Sequence, residues 1–301
     1  MRSLPAPVSA LLQRAADRLA PAAQAVRPAV PRIGVGAFAV HVGLRRRPML
    51  RALHRQEAER FRPVGVARVL RRPLPPRVAD ALADAALVAS GLAALGVAHR
   101  VTGPAAGALQ LWTLTYRNSW GMIFHHDNQM VGHQIVLGLG PSADALSLDA
   151  LLRGQVLPGR FDRRYGATST AAAIVTVSVY VISGVAKVRG PLGLRWATGG
   201  VLRDQIAADA VRKELFGTAP PRAAALLRRG RGPFGLLALT SLVVELGAPL
   251  ALLDPRLGRA FAAGSWGMHA GIRVIMGIRF TYNLSGISSL PMLPVGPQLG
   301  R

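Results

Sequence analysis

The sequence predicts an all-α, polytopic transmembrane helical bundle with interfacial amphipathic helices, on three observations. Half of the 301 residues are hydrophobic and only 17% are charged, the balance of a multispanning membrane chain rather than a soluble domain. The apolar residues fall in runs long enough, as helices, to cross a hydrocarbon core of ~30 Å. The net charge of +23 comes mostly from arginines gathered between those runs: Arg45 to Arg47, Arg71 and Arg72, Arg160 to Arg164, and Arg222 to Arg231. Loops that face anionic headgroups have this pattern, so a lipid bilayer is the expected partner. A nucleic-acid binder would need a continuous basic face with aromatic residues exposed for stacking, and here membrane-length segments separate the basic clusters. The absence of cysteine rules out disulfides, thiolate catalysis and cysteine-based metal sites.

In chain order, residues 1–32 are a basic, Pro-rich segment. Val8, Leu11, Leu12, Ala15, Leu19 and Ala22 recur at helical spacing, which suits either a surface helix or a tail. Gln13, Arg14, Asp17 and Arg18 interrupt it, so it does not read as a secretory signal, and a first transmembrane helix is expected to direct insertion. Residues 33–298 read as one membrane domain. Within it, Ile33 to Leu44 is a short apolar segment containing His41, and Arg45 to Arg77 is a basic cytoplasmic loop punctuated by Pro63, Pro73, Pro75 and Pro76.

A helical hairpin is expected over Ala79 to Ala98 and Val101 to Tyr116, broken at His99-Arg100, followed by an apolar segment from Asn128 to Ala143. After a polar connection from Asp144 to Tyr165, the run Ala167 to Val188 carries no charge before Lys187. A long basic connection leads to about Gly232, with an interfacial helix over Ile206 to Phe216. Pro233 to Leu253, Ala260 to Ile278 and Leu284 to Val295 complete a count of about six to eight membrane segments. Arginine and lysine are more numerous in the 189–232 connection than in 144–166, which places the former inside.

Ionisable groups within apolar segments cost roughly 2.5–3.5 kcal/mol on insertion scales, so each is a functional candidate. Lys187 is the first. Of 37 basic residues only Lys187 and Lys213 are lysine; arginine cannot be deprotonated in a protein, whereas an amine drawn into an apolar setting can act as a base. The alternative is a lysine snorkelling from a helix end. Glu245, His269 and Arg273 lie in later helices, and His125, His126, Asp127 and His133 bracket the start of an earlier one. His269 and Arg273 share a helical face, as do His126 and His133. A Glu245–Arg273 ion pair that only holds the bundle together is the structural alternative. The seven histidines include no His-Glu-x-x-His helix and no Glu-x-x-His pair, and no metal site is assigned.

Three pieces of the chain carry a family resemblance. Tyr116-Arg117-Asn118-Ser119-Trp120, leading to His125-His126-Asp127-Asn128 and then Pro141-Ser142-Ala143-Asp144-Ala145-Leu146-Ser147-Leu148-Asp149, resembles the HTTM (horizontally transferred transmembrane) domain family, which is related to the membrane domain of vitamin K-dependent gamma-carboxylase. Val179 to Lys187 is similar to the carboxylase segment that ends Gly-Val-Lys-Lys, and Trp196 with Gly199-Gly200 to the Trp-x-x-Gly after it. Trp266-Gly267-Met268-His269, followed by Met276-Gly277-Ile278, resembles the carboxylase's later histidine-bearing helix. The resemblance covers about residues 33 to 295. It implies that Lys187 is the base towards a quinol, that His126 and His269 belong to the same active-site region, and that the cofactor is quinone- or vitamin K-like. Residue 186 is Ala where the carboxylase has its second lysine.

Two functions from different classes follow for a multi-pass protein of the cell membrane. In one, neutral Lys187 abstracts a proton from a quinol-like or other lipid-soluble substrate while His126 and His269 position or stabilise the anion, as in a carboxylase-like or quinol-dependent membrane enzyme. In the other, a non-catalytic protein carries a lipophile or supports a partner. On sequence alone, Lys187→Met is expected to leave the fold equally or more stable, because it removes an amine from an apolar setting.

Overall fold

The computed structural model describes residues 17–121, 126–219, 227, 232–293 and 295–297. About three quarters of these residues are helical, and the strands among them form one two-residue antiparallel pairing, Ala23–Gln24 (β1) with Phe161–Asp162 (β2). The chain divides into two compact units, residues 1–175 with 294–301 and residues 176–293.

In the first unit, α1 (Val26–Leu53) packs on α2 (Pro76–Leu95), α2 on α3 (His99–Asn118), and α3 on α4 (Asp127–Leu139), which returns to α1. α1 runs unbroken through residues 32 and 33, where the sequence suggested a change from tail to membrane domain. The expected hairpin is α2 and α3. α2 starts on a proline at its first position and ends at Gly96, whose φ of +66° lets Gly96 N–H and Val97 N–H reach the carbonyls of Ala93 and Leu92. α3 and α4 cross on glycine: a Cβ added to Gly138 would sit 2.4 Å from the Gly103 carbonyl oxygen, and one added to Gly103 2.5 Å from the Gly138 carbonyl oxygen. Such close approach of backbones is the usual means of helix association where the surroundings are as apolar as the side chains. Gln110 of α3 and Gln134 of α4 both donate to Ser90 Oγ of α2, each at 3.1 Å, which adds a polar link.

The connection 140–162 is fastened by two devices. Buried Arg32 of α1 donates to the carbonyls of Ser142 at 2.6 Å, Ala145 at 3.2 Å and Leu146 at 2.5 Å, and to that of Ala94 at the end of α2. Asp149, on the short α5 (Leu148–Leu152), accepts from the N–H groups of Ala98 and His99 at 2.8 and 2.9 Å and so caps α3. Burial opposes ionisation of Asp149, but the hydrogen bonds from His99 and Ala98 outweigh it and hold the carboxyl below its ordinary range. The group's stabilising contribution is therefore present above the unfolded carboxyl value of ~3.9 and is lost as pH falls through the lower folded value. Asp149→Ala is expected to cost about 1 kcal/mol. Thermal unfolding at pH 7 and at pH 3 checks this, the difference between variant and wild type shrinking at the lower pH.

α6 (Arg163–Arg189) contains the boundary between the units. The second unit continues with a 3-10 turn (Gly193–Thr198), α7 (Gly200–Leu215), α8 (Gly232–Gly247), a 3-10 turn (Ala248–Leu252), α9 (Pro255–Met276), the one-turn α10 (Thr281–Leu284) and a last 3-10 turn (Ile287–Met292). Gly199, at φ +80°, ends the first turn where its added Cβ would lie 2.2 Å from the Phe234 carbonyl carbon. That approach seats Trp196 against Ala238 and Leu242 of α8. α7 covers the helix expected over Ile206 to Phe216 and begins six residues earlier, and Lys213 near its end donates to the Met276 carbonyl at the C-terminus of α9.

Among the described residues, three helices are long and apolar enough to cross a membrane: Pro76–Leu95, Arg163–Arg189 and Gly232–Leu252. That is fewer than the six to eight expected. α4 has 13 residues, roughly 20 Å of helix, short of the ~30 Å core. α1 and α9 are long but carry several arginines, and the last apolar piece, Leu284 to Val295, is broken at Ser285–Gly286 into a helix end and a 3-10 turn that contains Pro291. Of these three, α2 exposes large side chains and buries small ones, whereas α6 also buries Val177 and Tyr180 and α8 also buries Phe234 and Leu242. α2 buries Ala79, Ala86, Ser90 and Ala93 while exposing Val78, Val88, Leu92 and Leu95, and α8 exposes Leu236, Leu239, Val243 and Leu246.

Candidate functional site

α6 is apolar over most of its length, yet Thr176, Tyr180, Ser183 and Lys187 recur at intervals of four, three and four residues, which places them on one face over ~16 Å. Each makes a hydrogen bond within the second unit. Thr176 Oγ1 donates to the Ser288 carbonyl at 3.1 Å. Tyr180 lies between α9 and α10: Asn283 Nδ2 donates to its hydroxyl oxygen at 3.2 Å, and His269 Nε2 is 3.0 Å away. With its oxygen accepting from Asn283, the hydroxyl has its own proton for His269 Nε2. Phe261 and Phe280 enclose this pair, with ring centroids 5.1 Å from Tyr180 and 4.9 Å from His269.

One turn further, Ser183 Oγ donates to Glu245 Oε1 at 3.0 Å, and Lys187 Nζ donates to the same oxygen. Glu245 is buried on α8, and its second oxygen, Oε2, is buried with no hydrogen-bond partner among the described residues. Lys187 Nζ lies 4.7 Å from the centroid of the Trp196 ring, within cation–π range. The Lys187 side chain keeps 24% of its surface accessible. Lys187 is therefore not a lysine extended from a helix end to headgroups: its amine is folded onto a buried carboxylate, with an indole face beside it.

Of the residues singled out from sequence, Lys187 and His269 lie in the second unit, each engaged with a side chain of the α6 face or with its partner. His126 lies in the first unit, immediately before α4, with Nε2 3.4 Å from Asp127 Oδ1. Asp127 is buried and is gripped by Arg46 at 2.5 Å and Arg117 at 2.7 Å. Burial alone would raise its carboxyl, but the two guanidinium groups hold it below the usual carboxylate range. His133 is buried against the Ala172 carbonyl, and His125 lies outside the described residues. Glu245 pairs with Lys187, not with Arg273, which is exposed near the end of α9. Sequence reasoning passed over Tyr180, Ser183 and Asn283, although the polar spacing along α6 was a readable signal for the first two. No group of three or more potential metal ligands forms among the described residues.

Compared with protein-family models, curated proteins and solved structures, the chain matches none.

Proposed function

We propose that this chain is a multi-pass protein of the cell membrane, related to the HTTM and vitamin K-dependent gamma-carboxylase membrane domains, in which Lys187 and Glu245 take a proton from a quinol-like or other lipid-soluble substrate. Support for the membrane reading is the inverted dressing of α2, with leucine and valine outward and alanine and serine inward, together with the exposed Leu236, Leu239, Val243 and Leu246 of α8. Further spans, towards the six to eight of the sequence, would be contributed by the more polar helices α1, α3 and α9.

Support for the site reading rests on one observation: a lone lysine on the most apolar helix donates to a buried glutamate whose other oxygen is unused. Transfer of the Lys187 proton along that bond leaves an amine and a carboxylic acid, an uncharged pair that costs less in an apolar setting than two ions. The amine lone pair then accepts a substrate hydroxyl proton, and the ammonium so formed sits beside both the new anion and the Trp196 ring. A quinone-type cofactor would be met by the Lys187 amine, which keeps accessible surface, while Trp196 and Glu245 are themselves buried behind it. Bound in its quinol form it would supply an acidic hydroxyl. His269, which lies in the same unit as Lys187, is assigned to stabilise the anion.

A short-chain quinone added to the purified protein is expected to quench tryptophan fluorescence saturably, and Trp196→Phe to remove at least half of the saturable part. Linear quenching that is identical in Trp196→Phe would exclude a quinone at this site. The second reading, a non-catalytic carrier or partner-supporting subunit, draws on the same ion pair, since a buried Lys–Glu contact also fastens α6 to α8 without any chemistry.

A further inference from the structure

His54 and Asp80 form a second site, in the first unit, far along the chain from Lys187. His54 closes the C-terminus of α1, and its Nδ1 lies 2.8 Å from Asp80 Oδ1 on the first turns of α2. Asp80 Oδ2 accepts from Arg55 at 2.8 Å, so the carboxylate is ionised and the imidazole proton belongs on Nδ1. In the tautomer with the proton on Nδ1, the buried His54 ring presents a lone pair at Nε2, which makes no hydrogen bond among the described residues. The ring is held edge-on to Tyr116 at 5.5 Å and lines an open cleft of about 480 Å³. Apolar walls are supplied by Trp120, Leu74 and the Pro73–Pro76 turn, which is pinned by Leu74 N–H donating to Tyr116 Oη at 3.0 Å. The other charges nearby are spent on one another: Arg47 and Arg51 both pair with Asp84.

An oriented imidazole with a free acceptor, at the floor of a cleft with apolar walls, fits a ligand that brings a hydroxyl and an apolar body together. The cleft opens beside Pro76, where an apolar helix begins, and exposed Arg71 and Arg72 immediately precede its wall. An apolar helix end, an amphipathic tryptophan and arginines in one place fit the headgroup layer of a bilayer with anionic lipid. We propose that this cleft binds the hydroxyl-bearing headgroup of an anionic lipid, with His54 Nε2 accepting the hydroxyl proton in a hydrogen bond and Asp80 fixing the tautomer. The inference rests on the membrane reading above, but not on Lys187 chemistry.

The test is the rate of His54 carbethoxylation by diethyl pyrocarbonate, read by mass spectrometry on protein in nanodiscs. In phosphatidylcholine alone, His54 is expected to react several-fold faster in the wild type than in Asp80→Asn. Adding phosphatidylglycerol should slow the wild-type reaction several-fold, while a phosphatidylmethanol, which is anionic with a methyl ester in place of a hydroxyl-bearing headgroup, phosphatidic acid, which lacks the alcohol headgroup, and free glycerol should not. An unreactive His54 in phosphatidylcholine would overturn the open acceptor, and the lipid arms judge the wild type whether or not Asp80→Asn folds. Equal protection by phosphatidylmethanol or phosphatidic acid would reduce the site to charge alone, and equal protection by free glycerol would overturn the lipid assignment. A chain that does not enter nanodiscs would defeat the membrane reading itself, an outcome distinct from one that enters and shows no protection.

Discussion

Lys187→Met is expected to destabilise the protein by ~3–5 kcal/mol, because it strands the buried Glu245 carboxylate without its ion-pair partner. From sequence alone the opposite was expected, since an amine in an apolar setting is a cost when it stands by itself. The pairing reverses the sign. The double variant Lys187→Met/Glu245→Leu should recover most of the loss, as apolar replacements of buried ion pairs generally do. Thermal unfolding in detergent, followed by loss of the monodisperse chromatographic peak, measures both. A single variant as stable as wild type, with no gain from the second change, would mean that the pair does not form.

Gly138→Leu should be at least as damaging, at more than ~3 kcal/mol. Even the first atom of the new side chain would stand 2.4 Å from the Gly103 carbonyl oxygen. What it meets is the backbone of α3, which cannot rotate aside as a flexible side chain can, so the helices must separate and give up their packed contact. Gly267→Ala on α9 is the matched control: an added Cβ there meets nothing within 4 Å, and a helical alanine is expected to be neutral or to stabilise by roughly 0.4–1 kcal/mol. Equal melting behaviour of the two glycine variants would contradict the crossing of α3 on α4.

Where hydrophobic length alone sets an element, the sequence was readable. The α2–α3 hairpin and α6 fall within a few residues of their expected bounds, while α7 begins, and α8 ends, six residues before the expected position. α1 was hidden because Pro31, Pro48 and its arginines look like loop chemistry, whereas in the fold Arg32 is a structural side chain that satisfies backbone carbonyls between residues 94 and 146. No local pattern announces a contact of that range. Among the described residues three helices meet the length and hydropathy of a span, fewer than the apolar runs suggested, and Leu284 to Val295 shows why: a short apolar run does not reveal that its chain turns at Ser285–Gly286. At the site, the scarcity of lysine drew attention to Lys187, and its setting on an apolar helix was legible. Its partner was not. Glu245 could equally have met Arg273, and only the packing of α8 on its neighbours decides which cation reaches it. Asp149, the last residue of the motif that begins at Pro141, has, in the fold, a capping task on α3.

Lys187→Arg separates the base from the anchor most directly. Arginine retains the charge, can still donate to Glu245 and can still lie over Trp196, but it cannot give up its proton at any accessible pH. Membrane abundance of the variant should therefore match the wild type, while the phenotype of a deletion strain remains unrescued. Full rescue by the arginine variant, at equal abundance, would show that Lys187 serves only as a fixed positive charge and would end the general-base account.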